Sequence, residues 1–139
     1  MAGLKPIEEL DIYRVAEEFA DAVWDVVLAW DFFARDTLGK QLVRAADSVG
    51  ANIAEGGGES TDKDQRRYLR YARRSLREVR FHLRSAYSRS LIPDDRIESI
   101  RDLMDRLGRL LTAFTRAIER RGESTTTRRL DDSPIKESP

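Results

Sequence analysis

Six arginines, Arg66, Arg70, Arg73, Arg77, Arg80 and Arg84, recur at steps of four, three, four, three and four residues. At about 100° per residue this spacing lines their guanidinium groups along one flank of a helix for about 27 Å. Guanidinium groups bind phosphate through paired N–H donors and stack on base faces, so such a ribbon is suited to following an RNA backbone. Arg67 and Arg74 broaden the band, and Glu78 is the only acid between Gln65 and Leu91. Tyr71 and Tyr87 offer ring faces for base stacking, although Tyr87 fits a core-packing position equally well. The competing reading is a salt-bridged interface. In it the acidic first segment, with Glu17, Glu18, Asp21 and Asp25, neutralises the same arginines within or between subunits.

Other constellations carry less chemistry. Gln41, Arg44, Ser48, Asn52 and Glu55 fall at three- and four-residue spacing and share one helix face. As an active site, Glu55 would be a general base with Asn52 and Ser48 orienting a substrate. The expected reading is a hydrogen-bonded polar layer that fixes helix register, because paired polar groups between close helices serve specificity. His82, the only histidine, follows Glu78 by one turn. Carboxylate-bundle metal sites need Glu-x-x-His on two helices plus two further glutamates, and that set is missing, so no metal ligand is assigned. Ser85 and Ser88 lie near His82 without a third partner, which leaves no catalytic triad. The run Gly56, Gly57, Gly58 follows no strand and precedes no Lys-Ser/Thr pair, so it reads as a helix stop and not a phosphate loop. Without cysteine there is no thiolate nucleophile and no cysteine-held metal or cluster. No catalytic residue and no cofactor are assigned, and a non-enzymatic protein is expected.

What must position the arginines is helical throughout. Apolar residues recur at three- and four-residue steps in four segments, and no stretch alternates as a strand does. The first segment runs from about Ile7 to Phe33, with two adjacent apolar lines, one of them Ala16, Ala20, Val23 and Val27. The second is expected to begin at Thr37 as N-cap and to end at the glycines. The third starts at Ser60 or Thr61 and reaches Leu91 with a heptad-like seam of Leu69, Ala72, Leu76, Val79, Leu83 and Ala86. The fourth opens at Pro93, Asp94 and Asp95 and closes at Gly122. Residues 1–122 are thus expected to form the bundle, and residues 123–139, rich in Ser, Thr, Pro and charge, a mobile tail. Short connections favour antiparallel neighbours, giving an all-α, up-down-up-down four-helix bundle. The apolar stripes of the first and last helices are wider than one neighbour needs, which points to subunit contacts.

Charge is balanced overall, at 25 basic and 25 acidic residues, but it is unevenly placed. Residues 1–36 hold 3 basic and 9 acidic side chains, whereas residues 37–91 hold 12 and 6. No run approaches the roughly 18 apolar residues that span a bilayer, and the N-terminus lacks a signal-peptide core. A cytoplasmic protein with no membrane partner is expected.

The string Leu38, Gln41, Arg44, Ala45, Ala46, Ser48, Asn52, Ile53, Ala54, Glu55, Gly56, followed by Tyr68, Leu69, Ala72, Ser75, Leu76 and Glu78, resembles the 23S ribosomal RNA intervening-sequence protein family of four-helix bundles. The resemblance covers about Leu10 to Ile118 and adds Ser75 and Glu78 to the structural polar motif. Arg74 departs from the glycine common there, Tyr68 from phenylalanine and Val79 from leucine. The resemblance implies the same bundle and, through its kinship with the accessory variability proteins of diversity-generating retroelements, a pentameric homo-oligomer. Together these readings favour a scaffold binding RNA or a nucleoprotein partner. The alternative is a protein-binding adaptor without affinity for nucleic acid.

Overall fold

Four lines of apolar residues meet in one core, each contributed by a separate helical rod. The structure, a computed structural model, describes residues 10–57 and 61–131, with side chains as far as Arg121. The first rod is α1 (Asp11–Leu28). The second is built of α2 (Phe32–Ala34), a π turn (Arg35–Gly39) and α3 (Lys40–Gly56) in unbroken right-handed succession. The third and fourth are α4 (Asp62–Ser88) and α5 (Asp94–Asp131). Phe19, Leu42, Leu69 and Leu107, one from each rod, are at most 1% exposed. Burying a side chain of that size stabilises by about 1.5–3 kcal/mol.

Neighbouring rods run antiparallel, as their cross-contacts show. Ala16 and Val27 of α1 approach Gly50 and Gly39 of the second rod. Ser48 and Arg44 of α3 meet Ser75 and Glu78 of α4. Arg80 and Leu76 of α4 lie beside Gly108 of α5, while Leu83 and Tyr87 meet Ile97 and Ile100. The bundle is therefore up-down-up-down, as expected. Both α1 and α4 pack mainly on α3 and α5, so α1 and α4 occupy opposite corners.

Several boundaries differ from the sequence expectation. The first helix ends at Leu28 and not at Phe33; Ile7 lies outside the described residues. Trp30 instead sits at the corner, where its indole N–H donates to the Leu91 carbonyl at 2.7 Å and ties that corner to the α4–α5 turn. The next rod starts at Phe32, because Asp31 accepts from the Ala34 N–H at 2.8 Å and caps it six residues ahead of Thr37. Thr37 falls inside the π turn, its hydroxyl donating to the Phe33 carbonyl at 2.7 Å. Thr61 caps α4 by accepting from Asp64 N–H at 3.2 Å. That helix stops at Ser88, and Ser90 takes the left-handed φ of 59° that turns the chain toward α5. The last helix passes through Gly122 to Asp131. One glycine costs only about 1 kcal/mol in a helix interior, which the flanking helix formers Arg120, Arg121 and Glu123 offset. Residues 132–139 lie outside the described residues.

The glycines act mainly through close approach. A Cβ at Gly56 would lie 3.2 Å from the Cβ of Tyr68, so the end of α3 is pressed against the start of α4. The α3 helix closes at Gly57 in ordinary right-handed geometry. At Gly39 a Cβ would lie 2.7 Å from Val27 Cγ1 and 3.6 Å from Trp30 Cε3.

The apolar surplus falls elsewhere than the stripes suggested. Ala16, Val23 and Val27, from the second line of α1, are buried within the subunit, and Leu103 and Leu110 of α5 are half-buried. Large apolar side chains stay exposed at the corner between α1 and the second rod, Trp24, Leu28, Phe32 and Phe33, and on α4 at Tyr71, Phe81 and Tyr87.

Candidate nucleic-acid interface

Along α4 the seam residues Leu69, Ala72, Leu76, Val79, Leu83 and Ala86 are buried. Each arginine of the main stripe stands one residue beyond, or near, a seam position, and Arg73, Arg77, Arg80 and Arg84 face α5. Arg73, Arg77 and Arg80 line a cleft with Leu76, Gly108, Leu111 and Thr112. On its outer side Arg80 joins Asp105, Arg109, Thr112 and Arg116. Toward the α4–α5 turn, Arg80 and Arg84 line a further hollow with Arg101, Asp105 and Tyr87 above an apolar floor that includes Ile97, Ile100 and Met104. Arg80 belongs to all three clefts, so they form one groove between α4 and α5. Its side chain lies across α5 at Gly108, a position without a β-carbon; a Cβ there would come 2.6 Å from Arg80 Nη2.

The groove is basic. Arg70, Arg73, Arg77, Arg80 and Arg84 are exposed, Arg66 is half-buried, and among the described residues none of them forms an ion pair. The acids expected to neutralise them within the subunit, Glu17, Glu18, Asp21 and Asp25, sit on α1 at the diagonal corner and are themselves exposed. Helix order thus leaves only a contact between subunits for that pairing. Unpaired guanidiniums three and four residues apart repel one another, and an anion in the groove would relieve that repulsion.

Two arginines of the sequence set lie apart. Arg67 reaches Asp64 at 3.4 Å and stands 5.2 Å from the Tyr68 ring, while Arg74 stands 5.9 Å from the Tyr71 ring. Tyr68 and Tyr71 meet edge to face at 6.1 Å. Tyr71 is therefore committed to its own helix, whereas Tyr87 is 56% exposed and has no ring partner among the described residues. Sequence reading missed the contribution of α5, namely Arg101, Arg109 and Arg116. Arg109 and Arg116 are seven residues apart, two turns along one helix face, a spacing that marks them as a second basic rim once α5 is known to flank α4.

The polar motif occupies the α3–α4 contact on the other side of α4. Ser75 donates to Ser48 Oγ at 2.9 Å, and Asn52 Nδ2 donates to the same oxygen at 3.1 Å and to the Ser48 carbonyl at 2.8 Å. Arg44 pairs with Glu78 and also donates to Gln41 Oε1 at 3.1 Å. His82 Nε2 lies 3.5 Å from Glu78, with its ring edge to face against Phe81. Glu55 stands exposed in the last turn of α3. Among the described residues there is no cluster of three His, Asp or Glu able to hold a metal, and no helix long and apolar enough to cross a membrane. One carboxyl is perturbed: partial burial, and then the Asp21 carboxylate, push Asp47 above its ordinary value of 3.8. Those two acids lie on α3 and α1, away from the groove.

A family model described as 23S rRNA-intervening sequence protein matches residues 8–113. The chain is similar to the 1.70 Å crystal structure of a protein of unknown function from the S23 ribosomal protein family, from Bacteroides thetaiotaomicron. The two share 22% identity with a TM-score of 0.64, over 74% of this chain and 96% of that one. At that identity the likeness establishes the fold alone. No curated protein matches.

Proposed function

Given that the chain belongs to the 23S rRNA-intervening sequence protein family, we propose that it is a non-enzymatic, homo-oligomeric scaffold that binds RNA or a nucleoprotein partner through the α4–α5 groove. The observation that carries this reading is the gathering of Arg73, Arg77, Arg80 and Arg84 with Arg101, Arg109 and Arg116 around one cleft that holds the single acid Asp105. Phosphate neutralisation is the interaction such a surface offers best, and it makes binding salt-sensitive. Assembly is proposed to be pentameric, in line with the resemblance described above. Its contacts are drawn from the exposed corner, where Trp24, Val27, Leu28 and Val43 line an apolar groove. A reducing cytoplasm suits a chain without cysteine.

The same corner favours a second reading, a protein-binding adaptor that ignores nucleic acid, because Phe32 and Phe33 are 72% and 77% exposed. One preparation separates the two. Native mass measurement is expected to give about five times the 16.0 kDa chain, and absorbance at 260 nm is expected to leave the protein fraction when ribonuclease treatment is followed by desalting. A monomer free of nucleic acid at low salt would overturn the scaffold reading, and a nucleic-acid-free oligomer that retains a protein partner would establish the adaptor.

A further inference from the structure

The groove is not uniformly polar. Near the α4–α5 turn its floor is apolar, built from Leu83, Ile97, Ile100 and Met104, and the exposed ring of Tyr87 stands at its edge. Arg80, Arg84 and Arg101 surround the hollow against the single carboxylate of Asp105. Phosphates alone have no use for such a floor. A nucleobase does: it offers an apolar face to Tyr87 and the aliphatic floor while its flanking phosphates meet the guanidiniums.

Resting on the RNA reading above, we infer that the α4–α5 groove selects single-stranded RNA, with one unstacked base held between Tyr87 and the floor formed by Ile97, Ile100 and Met104. Packed helices lie about 8–10 Å apart, so the hollow between them is narrow. An A-form duplex presents phosphates and 2′-hydroxyls to such an edge but keeps its base faces stacked inside. It reaches the arginine rim and not the floor. Tyr71 cannot serve in place of Tyr87, because its ring is engaged by Tyr68 and Arg74.

Electrostatics by itself predicts the opposite order. Counterion release per neutralised phosphate is larger for a duplex, with slopes of about 0.9 against about 0.7. A preference for single strands therefore requires base contact. The test uses the full chain, with fluorescence anisotropy on a short unstructured RNA oligonucleotide and on the same strand annealed to its complement. The single strand is expected to bind about tenfold tighter, Tyr87→Ala to lose about tenfold on the single strand, and Tyr87→Phe to retain it. Duplex affinity should be unchanged in both variants. Equal affinity for the two forms, or a silent Tyr87→Ala, overturns the base site while leaving the arginine groove standing if Arg80→Gln/Arg84→Gln weakens both ligands. Failure of the wild-type chain to bind either RNA overturns both readings. Circular dichroism on each variant guards against loss of fold, which is not expected for so exposed a ring.

Discussion

Replacing Arg73, Arg77 and Arg80 together by glutamine removes the three guanidiniums that share the cleft with Gly108 and Thr112. If each meets one phosphate of a single strand, the slope of log affinity against log salt becomes shallower by about 2, at about 0.7 per contact. The same relation fixes the affinities: three lost contacts cost about 100-fold at 0.1 M salt and almost nothing near 1 M. The two titration lines therefore converge at high salt. A second consequence runs the other way, because residues 73, 77 and 80 are like charges at four- and three-residue spacing. Each such pair opposes the helix by about 0.2–0.5 kcal/mol. The variant is expected to be at least as stable as the wild type, since glutamine keeps helix propensity and these side chains are exposed. Fluorescence anisotropy from 0.05 to about 1 M salt reads the binding, and urea denaturation reads the stability. Parallel lines with unchanged affinity would show that these arginines do not face RNA. A large loss of stability would show instead that they are paired in the assembled protein.

Other perturbations separate packing from binding. Gly39→Ala places a methyl 2.7 Å from Val27 Cγ1, a side chain that is only 4% exposed. Overpacking is expected to cost about 1–3 kcal/mol, against a propensity gain of about 1 kcal/mol. The urea midpoint should fall, and a rise would mean that α1 and the second rod are less closely apposed. Trp24→Glu with Leu28→Glu puts charge on the exposed apolar corner and is expected to reduce the native mass without changing helix content; an unchanged mass would place the subunit contacts elsewhere. For Asp47 the sign follows from its raised folded value. The stability it contributes is fully present below the ordinary 3.8 and is lost as pH rises through the folded value. At neutral pH its carboxylate is therefore a liability beside Asp21, and Asp47→Asn should raise the urea midpoint there but not in acid below 3.8. Equal gains at both pH values would assign the effect to something other than charge. Ser90→Gly relieves a left-handed serine at φ 59° and is expected to stabilise by about 0.5–1 kcal/mol in thermal denaturation. A loss would mean that the serine side chain is needed at the turn.

Periodicity carried most of the fold. The seam from Leu69 to Ala86 is buried where three- and four-residue steps placed it, Ile100, Leu107, Leu111 and Ile118 of α5 are buried in the same core, and Thr61 caps α4. Local chemistry competed at the second rod. Asp31 caps earlier than Thr37, and the π turn that joins α2 to α3 leaves no mark in the hydrophobic pattern. Gly122 reads as a stop only if one glycine outweighs the helix formers around it, and it does not. The site was half legible. The spacing of Arg66 to Arg84 shows a ribbon, but which helix flanks it is set by rod order, and rod order is a tertiary fact. Only the diagonal placement of α1 and α4 separates the acids of α1 from these arginines and brings Arg101, Arg109 and Arg116 to them. Tyr71 and Tyr87, both offered by the sequence as ring faces, part company in the structure: one is engaged by Tyr68 of its own helix, the other stands open at the groove.

Ultraviolet cross-linking of RNA to the intact protein, followed by peptide mapping, tests the central claim most directly. Cross-links are expected on α4 and α5 at Tyr87 and the neighbouring groove, and they should fade as salt rises. Cross-links confined to α1 or to the corner of Phe32 and Phe33, or none at low salt, would contradict the assignment of the α4–α5 groove to RNA.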